Sequence, residues 1–347
     1  MIVEGRANCI FLFIKVLFIC SSLSARPPMH QSSSAYVAII DDFHPIFLER
    51  LGQYGISYDY NPEITPAEVF EFIKDAVVVA VRSKVNFDAG LLGRLPHLKC
   101  LARGGAGMDN IDEEVAKAKG ITLLNAPEGN RDAVAEHAIG LLLGLSKRIT
   151  SAHIEVSRFV WRREANRGWE IGGKTVGIIG FGNTGSAFAK KLSGFGCRVI
   201  AYDKYAGVNS PYAEAVDMGE LIGQSDVVSM HVPLNQSTRG MVNADFISRM
   251  KDQSVLINTS RGAIVNTADV LSGITGGKIK GFATDVLENE DFGRLSENEK
   301  KIISDLCLSN QVIITPHVAG WSVESYERIA TVLSEKIISF TTNIKNI

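Results

Sequence analysis

Three polar side chains that follow apolar runs of the chain could act together on one small substrate: Arg261, Glu290 and His317. Histidine is the side chain whose ordinary pKa lies nearest neutrality, so His317 could take a proton from a hydroxyl group and return it. The carboxylate of Glu290 would hold the imidazole in one orientation and stabilise its protonated form. The guanidinium of Arg261 could bind a carboxylate or a keto oxygen with two hydrogen bonds. The set predicts proton transfer at a 2-hydroxy acid.

A glycine-rich turn in the middle of the chain predicts a dinucleotide site. Gly180 permits a tight turn after an apolar run, Gly182 lets the backbone approach a pyrophosphate, and Gly185 lets the following helix pack closely on the strand.

The start of that helix and the end of the next strand indicate which dinucleotide binds. Around Asn183 and Thr184, the helix N-terminus offers unpaired N–H groups to phosphates. Asp203 ends the next apolar run, where its carboxylate can bind both ribose hydroxyls and would repel a 2′-phosphate. NAD is therefore the expected cofactor. It would accept hydride from the carbon whose hydroxyl proton His317 removes.

These residues must be positioned by parallel sheets, because apolar runs alternate with helical patterns from Tyr36 onward. The predicted strands are Val37–Ile40, Ala76–Val81, Leu98–Ala102, Ile121–Leu124, Thr175–Ile179, Val199–Tyr202, Val227–Met230, Ser254–Ile257, Gly281–Ala283 and Val312–Ile314. The predicted helices include Pro45–Leu51, Pro66–Ile73, Glu113–Ala118 and two longer ones, Ala133–Leu145 and Val323 to about Ile344.

The pattern predicts an α/β fold with two doubly wound parallel-sheet domains. A Rossmann NAD-binding domain over residues 129–316 would be inserted into a flavodoxin-like substrate domain made of residues 35–128 and 317–347. Residues 1–34 would not belong to the fold. They resemble a signal peptide, or they follow a start codon assigned too early, and we favour a start at Met29.

Composition excludes several other classes. The chain has 347 residues, 46% of them apolar, and a net charge of −2, which argues against nucleic-acid binding. The apolar run Cys9–Cys20 is too short to span a membrane. Beyond it the cysteines are scattered, without metal-binding spacing, which suits the cytoplasm and predicts no metal site.

The motifs resemble those of the D-isomer-specific 2-hydroxyacid dehydrogenases, from about Tyr36 to the end of the chain. The matching segments are Gly105–Asp112, Val134–His137, the glycine turn, Asn258–Gly262, the Asp285-Val286 pair with Glu290, and Pro316-His317. The family spacing selects Glu290 over Glu288 as the partner of the histidine. The chain departs from the family in having Asp291 where a proline is usual, and Asn183-Thr184 where many relatives have an arginine.

The resemblance also implies roles for further residues. Asp285 would hold the nicotinamide amide, and the N–H groups of Ala106 and Gly107 would bind the substrate carboxylate. Within the family the chain looks most like the phosphoglycerate dehydrogenase branch, in a short form without a regulatory domain. Arg82, Arg103 and Lys147 match positions of cations that would bind a substrate phosphate. For Lys147, simple capping of a helix C-terminus is the alternative.

Other readings of the sequence stay open. The substrate would be 3-phosphoglycerate, or alternatively glyoxylate, hydroxypyruvate or another 2-keto acid. An NAD(H)-sensing binding protein similar to transcriptional corepressors is the alternative from another class. An L-specific dehydrogenase fits less well, because its glycine turn would lie near the N-terminus. The resemblance implies a homodimer, with a contact arm from Arg148 to Trp169 that includes Trp161.

Overall fold

The computed structural model describes residues 36–345, so the predicted leader or early start over residues 1–34 lies outside the described residues. A first parallel sheet has five strands: β1 (Val37–Ile39), β2 (Tyr58–Tyr60), β3 (Val78–Val81), β4 (Cys100–Arg103) and β5 (Thr122–Asn125). Their order is β2-β1-β3-β4-β5, the flavodoxin-like doubly wound order. The central strand β3 is apolar throughout and fully buried, because helices cover both faces of the sheet.

A second parallel sheet has seven strands: β6 (Thr175–Ile179), β7 (Arg198–Tyr202), β8 (Glu214–Ala215), β9 (Val227–Met230), β10 (Ser254–Asn258), β11 (Ile279–Thr284) and β12 (Val312–Ile314). The order is β12-β11-β10-β9-β6-β7-β8, which is the Rossmann order with one strand added at an edge. The chain reverses direction across the sheet between β6 and β9, so a ligand crevice is expected at the carboxyl ends of these strands.

Helices lie on both faces of both sheets, and the buried apolar residues form one core on each face. The helices are α1 (Ile46–Gln53), α2 (Val69–Ile73), α3 (Ala89–Gly93), α4 (Glu113–Ala118), α5 (Pro127–Ser146), α6 (Ile149–Ser157), α7 (Asn183–Leu192), α8 (Met218–Gln224), α9 (Ala244–Arg249), α10 (Thr267–Thr275), α11 (Glu297–Leu308) and α12 (Val323–Lys345).

Helices α5 and α12 connect the two sheets. Leu142 and Leu145 of α5 are buried in the core of the second sheet, whereas Leu333 and Ile337 of α12 are buried in the core of the first. The two helices also pack against each other, and α12 packs on α1. The last helix therefore returns to the sheet with which the chain begins. The domain boundaries proposed above stay a prediction.

The predicted fold class is confirmed, and the bounds of the predicted strands agree to within two residues. The edge strands β2 and β8 were not predicted, because Tyr-Asp-Tyr and Glu-Ala contain no apolar run. The helix predicted from Pro66 begins only at Val69, since residues 66–68 form a turn in which Glu68 accepts hydrogen bonds from Thr65.

Between residues 36 and 345, no helix combines the length and the apolar character that crossing a membrane requires.

Candidate active site

Three neighbouring strands end side by side at the candidate site. Asn258 of β10 pairs with Thr284 of β11, and Thr284 pairs with Ile314 of β12. Because the strands are parallel, the loops that follow them leave the same edge of the sheet. These loops carry the three residues predicted to do chemistry: Arg261, Glu290 and His317.

The loop after β10 is rigid and presents Arg261. The buried side chain of Asn258 accepts a hydrogen bond from the Ser260 N–H (3.0 Å) and donates one to the Arg261 carbonyl (3.0 Å). A Cβ atom on Gly262 would lie 1.9 Å from the Leu287 carbonyl oxygen, so this position must be glycine. The arginine loop and the loop after β11 are therefore packed backbone against backbone.

The buried carboxylate of Asp285 anchors the turn that carries His317. It accepts hydrogen bonds from the N–H groups of Val318 (2.9 Å) and Ala319 (2.7 Å) and from the Thr315 hydroxyl (2.6 Å). The His317 N–H donates to the Asp285 carbonyl at 2.7 Å. His317 has a φ of 55°, a left-handed conformation that is uncommon for histidine and that these bonds hold in place. The nicotinamide contact of Asp285 stays a prediction.

His317 and Glu290 form a directly hydrogen-bonded pair. The imidazole Nδ1 lies 2.8 Å from Glu290 Oε2, and the two side chains are 47% and 44% exposed. Burial acts to raise the pKa of the Glu290 carboxyl, but the hydrogen bond and charge of His317, the Leu287 N–H and the charge of Arg261 lower it below its ordinary value. An ionised Glu290 accepts a hydrogen bond from Nδ1–H and leaves the other ring nitrogen, Nε2, for proton exchange with a substrate.

Arg261 lies against the turn at Gly107 and is held by Asp109. Its Nε donates to Asp109 Oδ2 at 2.7 Å, and one terminal nitrogen donates to the Ser260 carbonyl at 2.7 Å. A Cβ on Gly107 would lie 1.6 Å from Arg261 Nη2, so glycine makes room for the guanidinium. Within residues 36–345, the N–H groups of Ala106 and Gly107 have no hydrogen-bond acceptor. The turn therefore combines free N–H donors with a fixed guanidinium, a combination that suits a carboxylate.

Two further arginines lie over the same turn. A Cβ on Gly105 would lie 1.7 Å from Arg103 Nη1, and one on Gly104 would lie 3.0 Å from Arg82 Cγ. Burial, followed by the positive charge of Arg261, lowers the pKa of Arg103 to about 10. The buried Nε of Arg103 has no hydrogen-bond partner among the described residues. The site thus brings three arginines together, and the charges of Asp109 and Asp41 act on the pKa of Arg103 in the opposite direction.

Lys147 is the predicted cation that the structure does not bring to this site. It follows α5, whose 20 residues extend about 30 Å. His137, in the middle of α5, reaches Thr315 beyond the carboxyl end of β12, whereas Leu145 packs near Gly281 at the start of β11. Lys147 therefore lies near the amino ends of the strands, away from the three arginines of its own chain, and its role in binding the substrate stays a prediction. It occupies the C-cap position of α5, where its backbone N–H donates to the Leu143 carbonyl.

Two residues at the site were quoted in motifs without being given a role. Asp109 pairs with Arg261, and His137 Nε2 lies 2.9 Å from the hydroxyl of Thr315, which itself donates to Asp285. Each contact joins segments far apart in the sequence. The position of Asp109 and His137 within the matching motifs was the only signal in the sequence that could have indicated these two residues.

The glycine turn has the open space that a pyrophosphate needs. Gly180 has a φ of 92°, and a Cβ on Gly185 would lie 2.1 Å from the Gly180 carbonyl oxygen, so both residues serve the backbone turn. A Cβ on Gly182 would meet nothing within 4 Å. Gly182 precedes α7, whose first N–H groups, at Asn183 and Thr184, have no side-chain cap. These residues fit the phosphates of a dinucleotide.

Asp203 lies beside this turn, at the end of β7. Its Oδ2 accepts from the Phe181 N–H (2.8 Å), and its Oδ1 accepts from the N–H groups of Tyr205 (2.8 Å) and Ala206 (2.9 Å). Burial acts to raise the pKa of the Asp203 carboxyl, but these three hydrogen bonds lower it below its ordinary value. A charged carboxylate fixed at this place suits the paired hydroxyls of an unphosphorylated ribose.

Replacing Asp203 with serine should therefore relax the preference for NADH over NADPH by about tenfold or more, because the repulsion of a 2′-phosphate disappears. The measurement is the ratio of kcat/KM for the two cofactors at one saturating substrate concentration. Asp217→Ser, which changes a carboxylate that caps α8, is the control. An unchanged ratio in Asp203→Ser would mean that another group selects the cofactor.

Comparison with known proteins identifies the family. The model described as "D-isomer specific 2-hydroxyacid dehydrogenase, NAD binding domain" matches residues 139–319. A hydroxypyruvate reductase of Thermotoga maritima is 37% identical over 78% of this chain and 86% of its own length. A D-3-phosphoglycerate dehydrogenase of Mycobacterium bovis is 33% identical over 87% of this chain, but the chain spans only 56% of that relative.

Solved structures show the same relationship. A D-lactate dehydrogenase from Aquifex aeolicus, solved with NAD and lactic acid, superposes with a TM-score of 0.76 and 28% identity, over 89% of this chain and 96% of that one. The chain therefore belongs to the D-isomer-specific 2-hydroxyacid dehydrogenases, a family of NAD-dependent oxidoreductases.

Proposed function

We propose that the protein interconverts 3-phosphoglycerate and 3-phosphohydroxypyruvate, the reaction that enters serine biosynthesis. We infer that the enzyme is located in the cytoplasm, because that compartment supplies NAD and NADH. Recovery of the enzyme in a membrane or secreted fraction would contradict this location.

The residues of the site have separate tasks in this proposal. The free N–H groups of Ala106 and Gly107 and the guanidinium of Arg261 bind the carboxylate and the 2-oxygen of the substrate. His317 Nε2 gives a proton to the keto oxygen during reduction and removes it during oxidation, while Glu290 holds Nδ1. The glycine turn and Asp203 would hold the dinucleotide, which when bound would supply the hydride chemistry at the same carbon, NAD⁺ for oxidation and NADH for reduction.

Arg103 carries the assignment of a phosphorylated substrate. Its guanidinium lies beside two other cations, its pKa is lowered first by burial and then by Arg261, and its buried Nε has no partner within residues 36–345. A buried guanidinium nitrogen without an acceptor is costly, and a dianionic phosphate bound by Arg103 and Arg82 could supply one. A substrate with only one carboxylate would occupy Arg261 and leave this charge unbalanced.

The experiment compares the reduction of 3-phosphohydroxypyruvate, hydroxypyruvate and glyoxylate by the wild type and by Arg103→Ala. We expect the wild type to prefer the phosphorylated acid. The variant should lose about thirtyfold in kcat/KM for that acid but less than about threefold for the other two, since a hydrogen bond to a charged group contributes about 1.5–3 kcal/mol. Arg249→Ala, on the exposed surface of α9, is the control.

The other outcomes separate the alternatives. Faster turnover of hydroxypyruvate or glyoxylate by the wild type would make the protein a general 2-keto acid reductase. The Thermotoga maritima relative favours that second candidate, because it is a hydroxypyruvate reductase aligned over most of its length. Binding of NADH without turnover of any of the three acids would instead support a sensor of NAD(H).

We also propose a homodimer, in which a second copy covers the segment from α6 to Trp161. Helix α6 has no buried residue, and the side chains of Phe159 and Trp161 that follow it are 100% and 83% exposed. Phe159 has a φ of 59°, a strained conformation for a fully exposed aromatic residue. An apolar surface of this extent is typical of a protein interface. Trp169, at the end of the predicted contact arm, packs on the core of its own chain and on Lys280.

Phe159→Asp should convert the dimer into a monomer, because a carboxylate would be buried at the centre of the interface. Sedimentation equilibrium gives the mass of each variant. Leu308→Asp changes a comparably exposed apolar residue on α11 and should leave the mass at that of a dimer. A wild-type protein that is monomeric at micromolar concentration would refute the proposal.

A further inference from the structure

Arg82 is enclosed between two aromatic side chains at the edge of the cation cluster. Its guanidinium carbon lies 4.4 Å from the centre of the Trp321 ring and 5.5 Å from that of the Tyr326 ring. Its stem passes over Gly104, where a side chain would displace it. The hydrogen bond of this guanidinium to the Asp42 carbonyl is long, at 3.4 Å. Stacking, rather than hydrogen bonding, therefore fixes the head group, and its N–H edges remain available to an anion.

The two aromatic residues are held in different ways. Tyr326 donates its hydroxyl proton to Asp42 at 2.5 Å, and the same carboxylate accepts from Tyr60 at 3.1 Å. Burial, followed by the hydrogen bond and charge of Asp42, raises the pKa of Tyr326, so its hydroxyl stays protonated and its ring stays fixed. Trp321 forms one hydrogen bond within residues 36–345, from its backbone N–H to the Val318 carbonyl at 2.8 Å.

The indole of Trp321 is 68% exposed and yet lies face to face with a cation. Without the guanidinium, an exposed tryptophan side chain at this position would have little favourable contact to hold it there. Trp321 also follows shortly after His317, on the segment whose backbone Asp285 anchors. Trp321 therefore lies on the same anchored segment as the proton-transfer residue, and its ring contacts Arg82, one of the two arginines whose charges act on Arg103.

We propose that Trp321 is the positioning residue that fixes Arg82 beside Arg103, and that it thereby selects substrates with a second anionic group. This inference rests on the proposed function for the identity of that anion as a phosphate. An arginine ordered before binding loses less conformational freedom when it forms bonds to an anion. Without the indole, Arg82 would keep its charge but would no longer be held in one orientation.

A double-mutant cycle of Arg82 and Trp321 tests the inference. Trp321→Ala should raise the KM for 3-phosphohydroxypyruvate by about five- to tenfold, the size of a partly desolvated cation–π contact. The KM for hydroxypyruvate and the kcat for both acids should stay within about twofold of wild type. Trp321→Phe, which keeps an aromatic face, should restore most of the selectivity. Arg82→Ala should have the larger effect, and Arg82→Ala/Trp321→Ala should be no worse than Arg82→Ala alone.

Two results would overturn the inference. The first is that the increases in KM caused by Arg82→Ala and Trp321→Ala multiply in the double variant. The second is that Trp321→Ala raises the KM for 3-phosphohydroxypyruvate and for hydroxypyruvate equally. If the wild type does not prefer the phosphorylated acid, the proposed function fails, and inorganic phosphate then becomes the probe. As a competitive inhibitor of hydroxypyruvate reduction, phosphate should show a higher inhibition constant in Arg82→Ala and Trp321→Ala but not in Trp321→Phe. An inhibition constant that Trp321→Ala leaves unchanged would exclude the positioning role.

Discussion

His317→Ala should lower kcat by about three orders of magnitude and leave the affinity for NADH within about twofold of wild type. General acid–base catalysis by a positioned side chain contributes about 10²–10⁴-fold to a rate. The expected loss lies in the middle of that range because the pair with Glu290 is formed before substrate binds, with Nδ1 already 2.8 Å from the carboxylate. NADH affinity should be retained because the glycine turn and Asp203 follow β6 and β7, whereas His317 lies on the loop that follows β12.

The measurements are single-turnover rates of keto acid reduction and NADH binding followed by its fluorescence. His97→Ala is the matched control, since this exposed histidine precedes β4 and therefore lies at the amino edge of the first sheet. A loss of NADH affinity that accounts for the loss of rate would show that His317 holds the cofactor. A nearly normal rate would place the proton donor elsewhere.

Arg261→Ala should lower kcat/KM by about 10³-fold for any accepted keto acid. The substrate would lose the donor that stabilises charge on its oxygen, and removal of one such donor typically costs about 10²–10³-fold in kcat. An additional loss follows from Asp109, whose carboxylate would remain in the site without its partner and repel the anionic substrate.

A comparison of Arg261→Ala with Arg261→Ala/Asp109→Asn separates these two contributions. The double variant should recover part of the KM but none of the kcat, because removal of the negative charge helps binding only. Arg249→Ala again serves as the control for the general loss of an arginine. If Arg261→Ala raised the KM alone, Arg261 would anchor the substrate without acting on the transition state.

The buried strands of both sheets could be predicted because each is a short, mainly apolar run between polar turns. β2 and β8 lie at sheet edges, where one partner strand suffices and polar side chains face solvent, so their sequences carry no such signal. The hydrogen bond between Glu290 and His317 could be anticipated from two strands that end at the same edge of one sheet.

The cations show where prediction from the sequence stops. Arg82 follows β3 and Arg103 ends β4, and the two strands pair in parallel, so the approach of these arginines to a common site follows from the pairing. Lys147 follows a helix instead, and a helix carries its end away from the strand ends that its beginning contacts. The partner of Arg261 could not be inferred at all, because Asp109 lies on a loop of the other sheet and only the docking of the two sheets brings them together.

The ion pair between Asp109 and Arg261 also makes the geometry of the active site depend on the contact between the two sheets. Asp109 is anchored to the first sheet and Arg261 to the second, so opening of the cleft would break the bond that orients the guanidinium. If the two sheets separated at this point, the guanidinium would keep only its bond to the Ser260 carbonyl on its own loop. The orientation of Arg261 thus depends on the position of the first sheet, and a substrate anion would meet a fully held arginine only while the two sheets are in contact.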